Sequence, residues 1–388
     1  MGALAARPAT RVAFGSARRS RGAAFYNNIT VPAAGAQSYA SWDDEISDLF
    51  EKIGKLQEAA TLPAVGEDLD EINTLLGRLP ADLQAVRQRG YVHEAQLEGQ
   101  INTLAERWEG LYQQVADALY NQQVELVEAA NRLLDNVDRL YDRGVDRGTV
   151  NSCWAGVRAL QSRIEAAHKN LSGMYDDYGD QLEQIETSID RVEWMLDQVE
   201  AAKFQLLQSE APIRAGSARW ARQGEDEGPK GILYLTDQRL LFEQKEEVTT
   251  EKFLFIKMKS ETVHEFLFEA PVNSIEEVKV GKERRGFLRM GKVELLEFRF
   301  DHTAQYNSAL FHLLSDKTQE WETLIGRVRS GGIDRARTEQ SAAEVEALAE
   351  AQSEIPTNCP SCSAPLDQNI VRGMTSITCQ YCGAVVRI

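Results

Sequence analysis

Four cysteines near the C-terminus have the residue type and spacing for metal chemistry. Cys359 and Cys362 form one C-x-x-C pair, Cys379 and Cys382 form a second, and residues 363–378 lie between the pairs. Each C-x-x-C turn can direct two thiolates at one point, and two turns complete a tetrahedron with Zn–S distances near 2.3 Å. The sequence therefore predicts a structural zinc site. A shell of four thiolates has no open position for water or substrate, which argues against catalytic zinc.

The alternative interpretation of these cysteines is redox chemistry or disulfide bonding. A redox C-x-x-C pair is expected beside a βαβ unit, and no such pattern surrounds either pair. About thirty residues cannot bury a sufficient core, so the metal is expected to supply folding energy. The fifth cysteine, Cys153, stands alone and is expected to pack as a small apolar side chain.

The segment 359–382 resembles a zinc ribbon of the rubredoxin-like kind. The resemblance rests on the two C-x-x-C turns, with Pro360 in the first and Gly383 after the second. Ser363 departs from it, because many such ribbons have glycine there. We expect Gln368–Arg372 and Ser376–Thr378 to pair as short strands between the two turns.

Residues 41–208 are predicted to form a long antiparallel helical coiled-coil hairpin. Ser41 and the acids after it suit a helix start, and Pro80 is expected to interrupt a short second helix. Steps of three and four then separate apolar residues on both sides of a glycine-containing turn near Asp146. Each stripe contains a stutter, and folding at this turn places Val115 opposite Tyr178. Trp108, Met174 and Tyr178 are expected to lie in the core or seam.

After the helices, the pattern changes to short apolar runs typical of strands. Gly231–Glu243, GILYLTDQRLLFE, predicts two strands around a turn at Asp237 and Gln238. Further runs are predicted as strands at 253–258, 266–269, 275–280, 293–300 and 309–313. A helix bearing Trp321 closes the segment. This arrangement over about 209–330 resembles the GRAM and bacterial PH-like superfamily. The resemblance implies a small bent barrel, capped by its C-terminal helix, that binds lipid or protein.

Two loops bear on the choice between lipid and protein. The loop expected in the usual lipid-binding position carries Glu225, Asp226 and Glu227, which departs from the basic pattern of lipid-binding PH domains. A different loop is basic and suits an anionic membrane surface or a protein partner. The competing interpretation is a solvated hairpin whose cations meet acids of the same protein. The candidate contact residues are Lys279, Lys282, Arg284, Arg285, Phe287, Arg289 and Lys292.

Charge and missing motifs limit the function classes. The formal net charge of −17 disfavours binding of nucleic acid or anionic lipid except at local patches. No apolar run approaches the length of a membrane span. The sequence has no Walker loop, no G-x-S-x-G, no H-E-x-x-H and no dinucleotide-binding fingerprint, and the histidines do not cluster. We therefore expect a protein without enzymatic activity.

Together these features predict a multidomain α + β protein with a disordered arginine-rich arm at 1–40 and a helical coiled-coil domain at 41–208. A PH/GRAM-like β domain at 209–330, a linker at 331–356 and a zinc ribbon at 357–388 follow. A targeting segment is the alternative for 1–40, as is sequence upstream of the true start. Neither resemblance extends over the whole chain.

The predicted function is a cytoplasmic scaffold or adaptor that binds protein partners, with self-association through the coiled coil as a further expectation. The first alternative is a peripheral membrane protein that uses the loop 279–292. The second is a nucleic-acid-associated factor, suggested only by the ribbon.

Overall fold

The computed structural model describes residues 41–221, 228–253, 256–284, 292–333, 337, 357–366, 370–372, 374 and 376–387. The predicted arm at 1–40 and most of the linker lie outside these residues. The described chain forms two compact units. The helical unit contains residues 41–82 and 98–188. The sheet unit contains residues 83–97 and the described residues from 189 onward.

Helices occupy most of the first half of the described chain. Their bounds are α1 Trp42–Ala60, α2 Pro63–Gln88, α3 Gln96–Asp138, α4 Leu140–Arg143 and α5 Arg147–Glu200. Ser41 caps α1 as expected, and its hydroxyl accepts the amide of Asp44 at 3.2 Å. The expectation that Pro80 ends a short helix is wrong, because α2 continues through it. Proline removes one backbone hydrogen bond, and packing along both sides of Pro80 outweighs that loss.

Within the helical unit, α3 and α5 run antiparallel. Arg163 of α5 pairs with Glu125 of α3 at 4.0 Å, and further from the turn Tyr178 stacks on Trp108 with 4.9 Å between ring centroids. The Tyr178 hydroxyl donates to the carbonyl of Leu104 at 2.8 Å. The expected register, with Val115 opposite Tyr178, is therefore wrong by about two helical turns. The separate helix α4 moves the reversal toward the N-terminus, which a symmetrical fold at Asp146 does not anticipate.

The first two helices also pack against this pair. Gln57 of α1 donates to Asn131 at 2.8 Å, and Asp68 of α2 accepts the hydroxyl of Tyr175 at 2.9 Å. Tyr175 is fully buried, whereas Met174, expected in the core or seam, is 38% exposed. Because α1 and α2 also contact α5, the buried face of α5 is wider than the seam of a two-helix coiled coil. Tyr175, next to Met174, therefore points inward.

Seven antiparallel strands and one helix form most of the sheet unit. The strands are β1 Pro212–Trp220, β2 Lys230–Thr236, β3 Arg239–Phe253, β4 Ile256–Pro271, β5 Ile275–Arg284, β6 Lys292–Phe300 and β7 Ser308–Leu313. Their order in the sheet is β4-β3-β2-β1-β7-β6-β5. The predicted turn at Asp237 and Gln238 joins β2 to β3. The run 253–258, predicted as one strand, instead contains the end of β3 and the start of β4, because Phe253 pairs with Ile256.

An aromatic core holds helix α6 (Thr318–Arg329) against the sheet. Trp321 of α6 is fully buried, and its indole N–H donates to Asp316 at 3.2 Å. Buried aromatic rings contribute large apolar areas and pack edge to face, which fixes the helix position. The rings that meet in this core are Trp220, Phe242, Phe268, Phe298 and Phe311. In the described part of the chain, no helix combines the length and apolar character needed to cross a bilayer.

Candidate metal centre and its docking site

The four predicted cysteines converge on one point. All four sulfur atoms lie within 4.8 Å of one another. The Sγ atoms of Cys359 and Cys382 are 3.6 Å apart, and those of Cys362 and Cys379 are 3.7 Å apart. A tetrahedron with metal–sulfur bonds near 2.3 Å has edges of about 3.8 Å. The four side chains can therefore hold one metal ion.

Two turns of the same backbone geometry position these sulfurs. In each turn, the amide of the first cysteine donates to the carbonyl two residues beyond the second, at 2.7 Å for Cys359 and 2.8 Å for Cys379. The residue after the second cysteine is Ser363 or Gly383, and its amide donates back to the first cysteine at 2.7 and 2.9 Å. Both residues have left-handed backbones, with φ of 62° and 74°. Ser363 therefore adopts a left-handed conformation that glycine tolerates best.

Backbone amides around the sulfurs favour thiolates. Burial raises the pKa of Cys359, but hydrogen bonds from the amides two and three residues ahead outweigh it and lower the pKa to about 6. The corresponding amides also lower the pKa of Cys379. For Cys362 the amide of Ala364 acts in the same direction, yet hydrogen bonds with the neighbouring cysteines retain its proton and raise its pKa to about 12. Thiolate ligands with amide donors are the usual environment of a bound soft metal ion.

The left-handed turns give a matched pair of substitutions. Changing Gly383→Ala should weaken zinc binding about fivefold, because a Cβ at this φ costs about 1 kcal/mol and meets no atom within 4 Å that could clash. Competition with a chromophoric chelator measures the affinity. Gly326→Ala, near the C-terminal end of α6, is the control and should leave zinc affinity unchanged. A loss as large in Gly326→Ala, or none in Gly383→Ala, would contradict the strain argument.

Strand pairing in the tail differs from the expectation. Strand β8 (Ser376–Thr378) pairs with β9 (Val385–Arg387), after the last cysteine, instead of with Gln368–Arg372. Residues 367–369 lie outside the described chain, and Val371 forms an antiparallel bridge with Leu207. The amide of Gln208 donates to Ile370 at 3.0 Å, and the amide of Arg372 donates to Leu206 at 3.1 Å. We call Leu206–Gln208 the acceptor segment and Ile370–Arg372 the docked segment.

A buried ion pair lies directly beneath the acceptor segment. Glu210 is fully buried, and its carboxylate pairs with the Arg239 guanidinium at 2.5 Å. The same carboxylate accepts the amide of Leu207 at 2.7 Å and the hydroxyl of Thr236 at 2.6 Å. Arg239 also donates to the carbonyl of Gln205 at 2.8 Å. Thr236 and Arg239, two residues that support the PH-like resemblance, thus fix the backbone just before β1.

A second buried pair lies beside the first. Asp237, at the β2–β3 turn, accepts the amide of Ala211 at 2.9 Å and pairs with Arg337. Burial raises the pKa of Asp237 to about 6, although the Ala211 amide and the Arg337 charge each lower it. The carboxylate is therefore mostly ionised at neutral pH. The sequence did not predict these two ion pairs. A buried Glu or Asp cannot be distinguished from an exposed one by its residue type alone.

The basic loop predicted to contact a membrane or partner is only partly described. Lys279 pairs with Glu277 at 3.4 Å, and Lys282 pairs with Glu294 at 2.6 Å. The backbones of Arg284 and Lys292 form the last pair of the β5–β6 ladder. Arg285, Phe287 and Arg289 lie outside the described residues. The two lysines whose side chains are described therefore meet acids of their own sheet.

Known proteins resemble this chain only weakly. No family model matches the sequence, and no curated protein matches it. Among solved structures, the DH/PH fragment of PDZRHOGEF in complex with human RhoA is 13% identical, with a TM-score of 0.26, over 74% of this chain and 93% of that chain. The DH/PH domains of p115-RhoGEF are 12% identical, with a TM-score of 0.21, over 71% and 98% of the two chains. The Vav1 exchange factor is 13% identical, with a TM-score of 0.21, over 89% and 97%. Such low scores carry no argument about the fold or function of this chain.

Proposed function

We propose that this protein is a non-enzymatic adaptor that holds one structural zinc ion in its C-terminal module and binds a protein partner through that module. The observation that carries the proposal is the convergence of four cysteine sulfurs in a closed set. Zinc suits four thiolates in tetrahedral arrangement, and such a shell stabilises a fold without offering a reactive position. The module then acts as a folded recognition surface.

Surface residues of the module support a role in binding. Tyr381 lies inside the second C-x-x-C turn and is 71% exposed, and Val385 on β9 is 66% exposed. Exposed tyrosine is common at protein interfaces, because its ring buries a large area at a low entropic cost. Both residues lie close to the cysteines in sequence, so a bound zinc would hold them in fixed positions.

The rest of the chain fits an adaptor. The strand order and the Trp321-bearing helix support the proposed PH-like domain at 209–330, and the antiparallel α3 and α5 support the proposed coiled-coil domain at 41–208. The boundaries of the linker, which follows residue 330 and ends before residue 357, are likewise part of the proposal.

Membrane binding through 279–292 is less favoured, since Lys279 and Lys282 have acidic partners within the sheet. Nucleic-acid binding is also less favoured, since one of the module's few arginines, Arg372, bonds to the protein itself.

The adaptor proposal predicts that zinc content and partner binding can be separated by substitution. Purified full-length chain should contain one zinc ion, measured by mass spectrometry of the metal, and Cys362→Ser with Cys379→Ser should remove it. Affinity purification from the native host should then retain a partner with wild type. Tyr381→Ser should keep the zinc but lose that partner.

The matched control is Tyr120→Ser, which changes a tyrosine of similar exposure on α3. This variant should retain both the zinc ion and the partner. A chain without zinc would contradict the metal site. A partner kept by both the zinc-free and the Tyr381→Ser chains would contradict recognition through the module. Sedimentation with anionic liposomes that is lost on Arg284→Glu with Arg285→Glu would favour the membrane alternative instead.

A further inference from the structure

The docked segment forms an isolated antiparallel bridge with a short stretch of backbone far from it in sequence. Two backbone hydrogen bonds, Gln208 N–H to Ile370 at 3.0 Å and Arg372 N–H to Leu206 at 3.1 Å, flank the bridge between Leu207 and Val371. The Arg372 guanidinium also donates to the carbonyl of Glu210. Main-chain bonds of this type are those by which an extended peptide adds to a sheet edge.

Glu210 and Arg239 hold the acceptor segment in place, and neither residue belongs to the tail. The amide of Leu207 donates to the buried Glu210 carboxylate, and the carbonyl of Gln205 accepts from Arg239. These bonds fix the backbone on both sides of Leu206. A rigid acceptor needs little ordering when a strand arrives, so its binding surface is already formed.

The two cysteine pairs enclose the docked segment in sequence. It lies in the stretch between Cys362 and Cys379, and each end of that stretch leads into one pair of cysteines. Bringing the two pairs together closes this stretch into a loop and restricts its conformations. Without a metal, the metal–sulfur bonds that would offset this entropic cost are missing. Metal binding therefore lowers the entropic cost of presenting Ile370–Arg372 as a strand.

We propose that Leu206–Gln208 is a strand-accepting surface whose occupant is the docked segment of the same chain, and that metal binding at the four cysteines sets its occupancy. With zinc bound, the tail covers the acceptor segment. Without zinc, Leu206 C=O and Gln208 N–H lose these partners, and the edge becomes open to an extended peptide. This inference rests on the proposed zinc site but is independent of the identity of any partner.

Hydrogen exchange of the full-length chain tests the proposal, with peptides covering Gln208 as the readout and metal content measured in parallel. Removing zinc with a chelator should speed exchange at Gln208 about tenfold, the factor expected for loss of a hydrogen-bonded contact of this kind. Adding zinc back should restore slow exchange in wild type but not in Cys379→Ser. Arg372→Ala should speed exchange while the chain still contains one zinc ion.

Arg387→Ala changes an exposed arginine of β9 in the same module and is the control for Arg372→Ala. It should leave exchange at Gln208 as in wild type. Zinc-dependent exchange that responds equally to both arginine substitutions would overturn the role of the docked segment. A zinc-loaded wild type whose Gln208 exchange is unchanged by chelation would overturn the inference alone. A wild-type chain that contains no zinc would overturn the proposed metal site as well.

Discussion

Replacing Glu210 with alanine should destabilise the sheet unit by about 3–5 kcal/mol. The substitution removes the fully buried partner of the Arg239 guanidinium and leaves only Glu269, which pairs with Arg239 at 2.9 Å but is 39% exposed; removing one member of a buried pair has a cost of this size. The hydroxyl of Thr236 and the amide of Leu207 lose their acceptor at the same time. Native-state hydrogen exchange at the amides of β2 and β3 measures the free energy of opening. Those strands should lose protection in Glu210→Ala.

Two further variants identify the uncompensated charge as the cause. Glu210→Leu combined with Arg239→Met removes both charges and should recover most of the loss, since well-packed apolar residues replace buried pairs at small cost. Arg132→Ala breaks a pair with Glu128 in which both side chains are largely exposed, and should cost less than about 1 kcal/mol. If the double variant is no more stable than Glu210→Ala, the buried-charge explanation fails.

Acid should destabilise the sheet unit through His93, which precedes α3 and is almost fully buried. Burial lowers the pKa of His93 to about 3, and the positive charges of Arg337 and Arg87 act in the same direction. The unfolded chain protonates this histidine near pH 6.5, whereas the folded chain does so only near pH 3. The unfolded state therefore binds more protons in between. The stability contribution is complete above pH 6.5 and is lost as the pH falls toward 3, by an amount on the order of 5 kcal/mol.

Histidine substitutions separate this effect from general acid unfolding. Exchange at amides of the sheet unit, corrected for intrinsic rates, gives the opening free energy from pH 4 to 7. His93→Leu should flatten its pH dependence in that window. His302→Gln alters an exposed histidine of the same unit and should keep the wild-type slope. Equal slopes in wild type and His93→Leu would show that another group is responsible.

Sequence patterns predicted the features that depend on neighbouring residues. The C-x-x-C spacing predicted the convergence of four sulfurs, because each turn is a local structure. The LTDQRL segment predicted the β2–β3 turn for the same reason. Trp321 was predicted on the helix that closes the PH-like segment, and it is fully buried on α6.

Features that depend on distant pairing were missed. The docked segment was expected to pair with Ser376–Thr378, close in sequence, but it bonds to Leu206–Gln208. No periodicity in either segment indicates that partner, because both are too short to show one. The helix register was misplaced because the exact point of reversal depends on α4, a four-residue helix without a distinct pattern. The burial of Glu210 was not predicted either, since it depends on where folding places Arg239.

The acceptor segment and the docked segment are far apart in sequence, so the ribosome synthesises the first well before the second. Arg372 and Glu210 are 162 residues apart in sequence, so their hydrogen bond belongs to the least local contacts of the sheet unit. Contacts between distant residues form late, and a chain that folds as it is made completes its earlier parts first. The acceptor segment therefore leaves the ribosome long before the docked segment that bonds to it. During that interval the acceptor segment is available to other chains. The docked segment can bind it only after Cys379 and Cys382 have been synthesised.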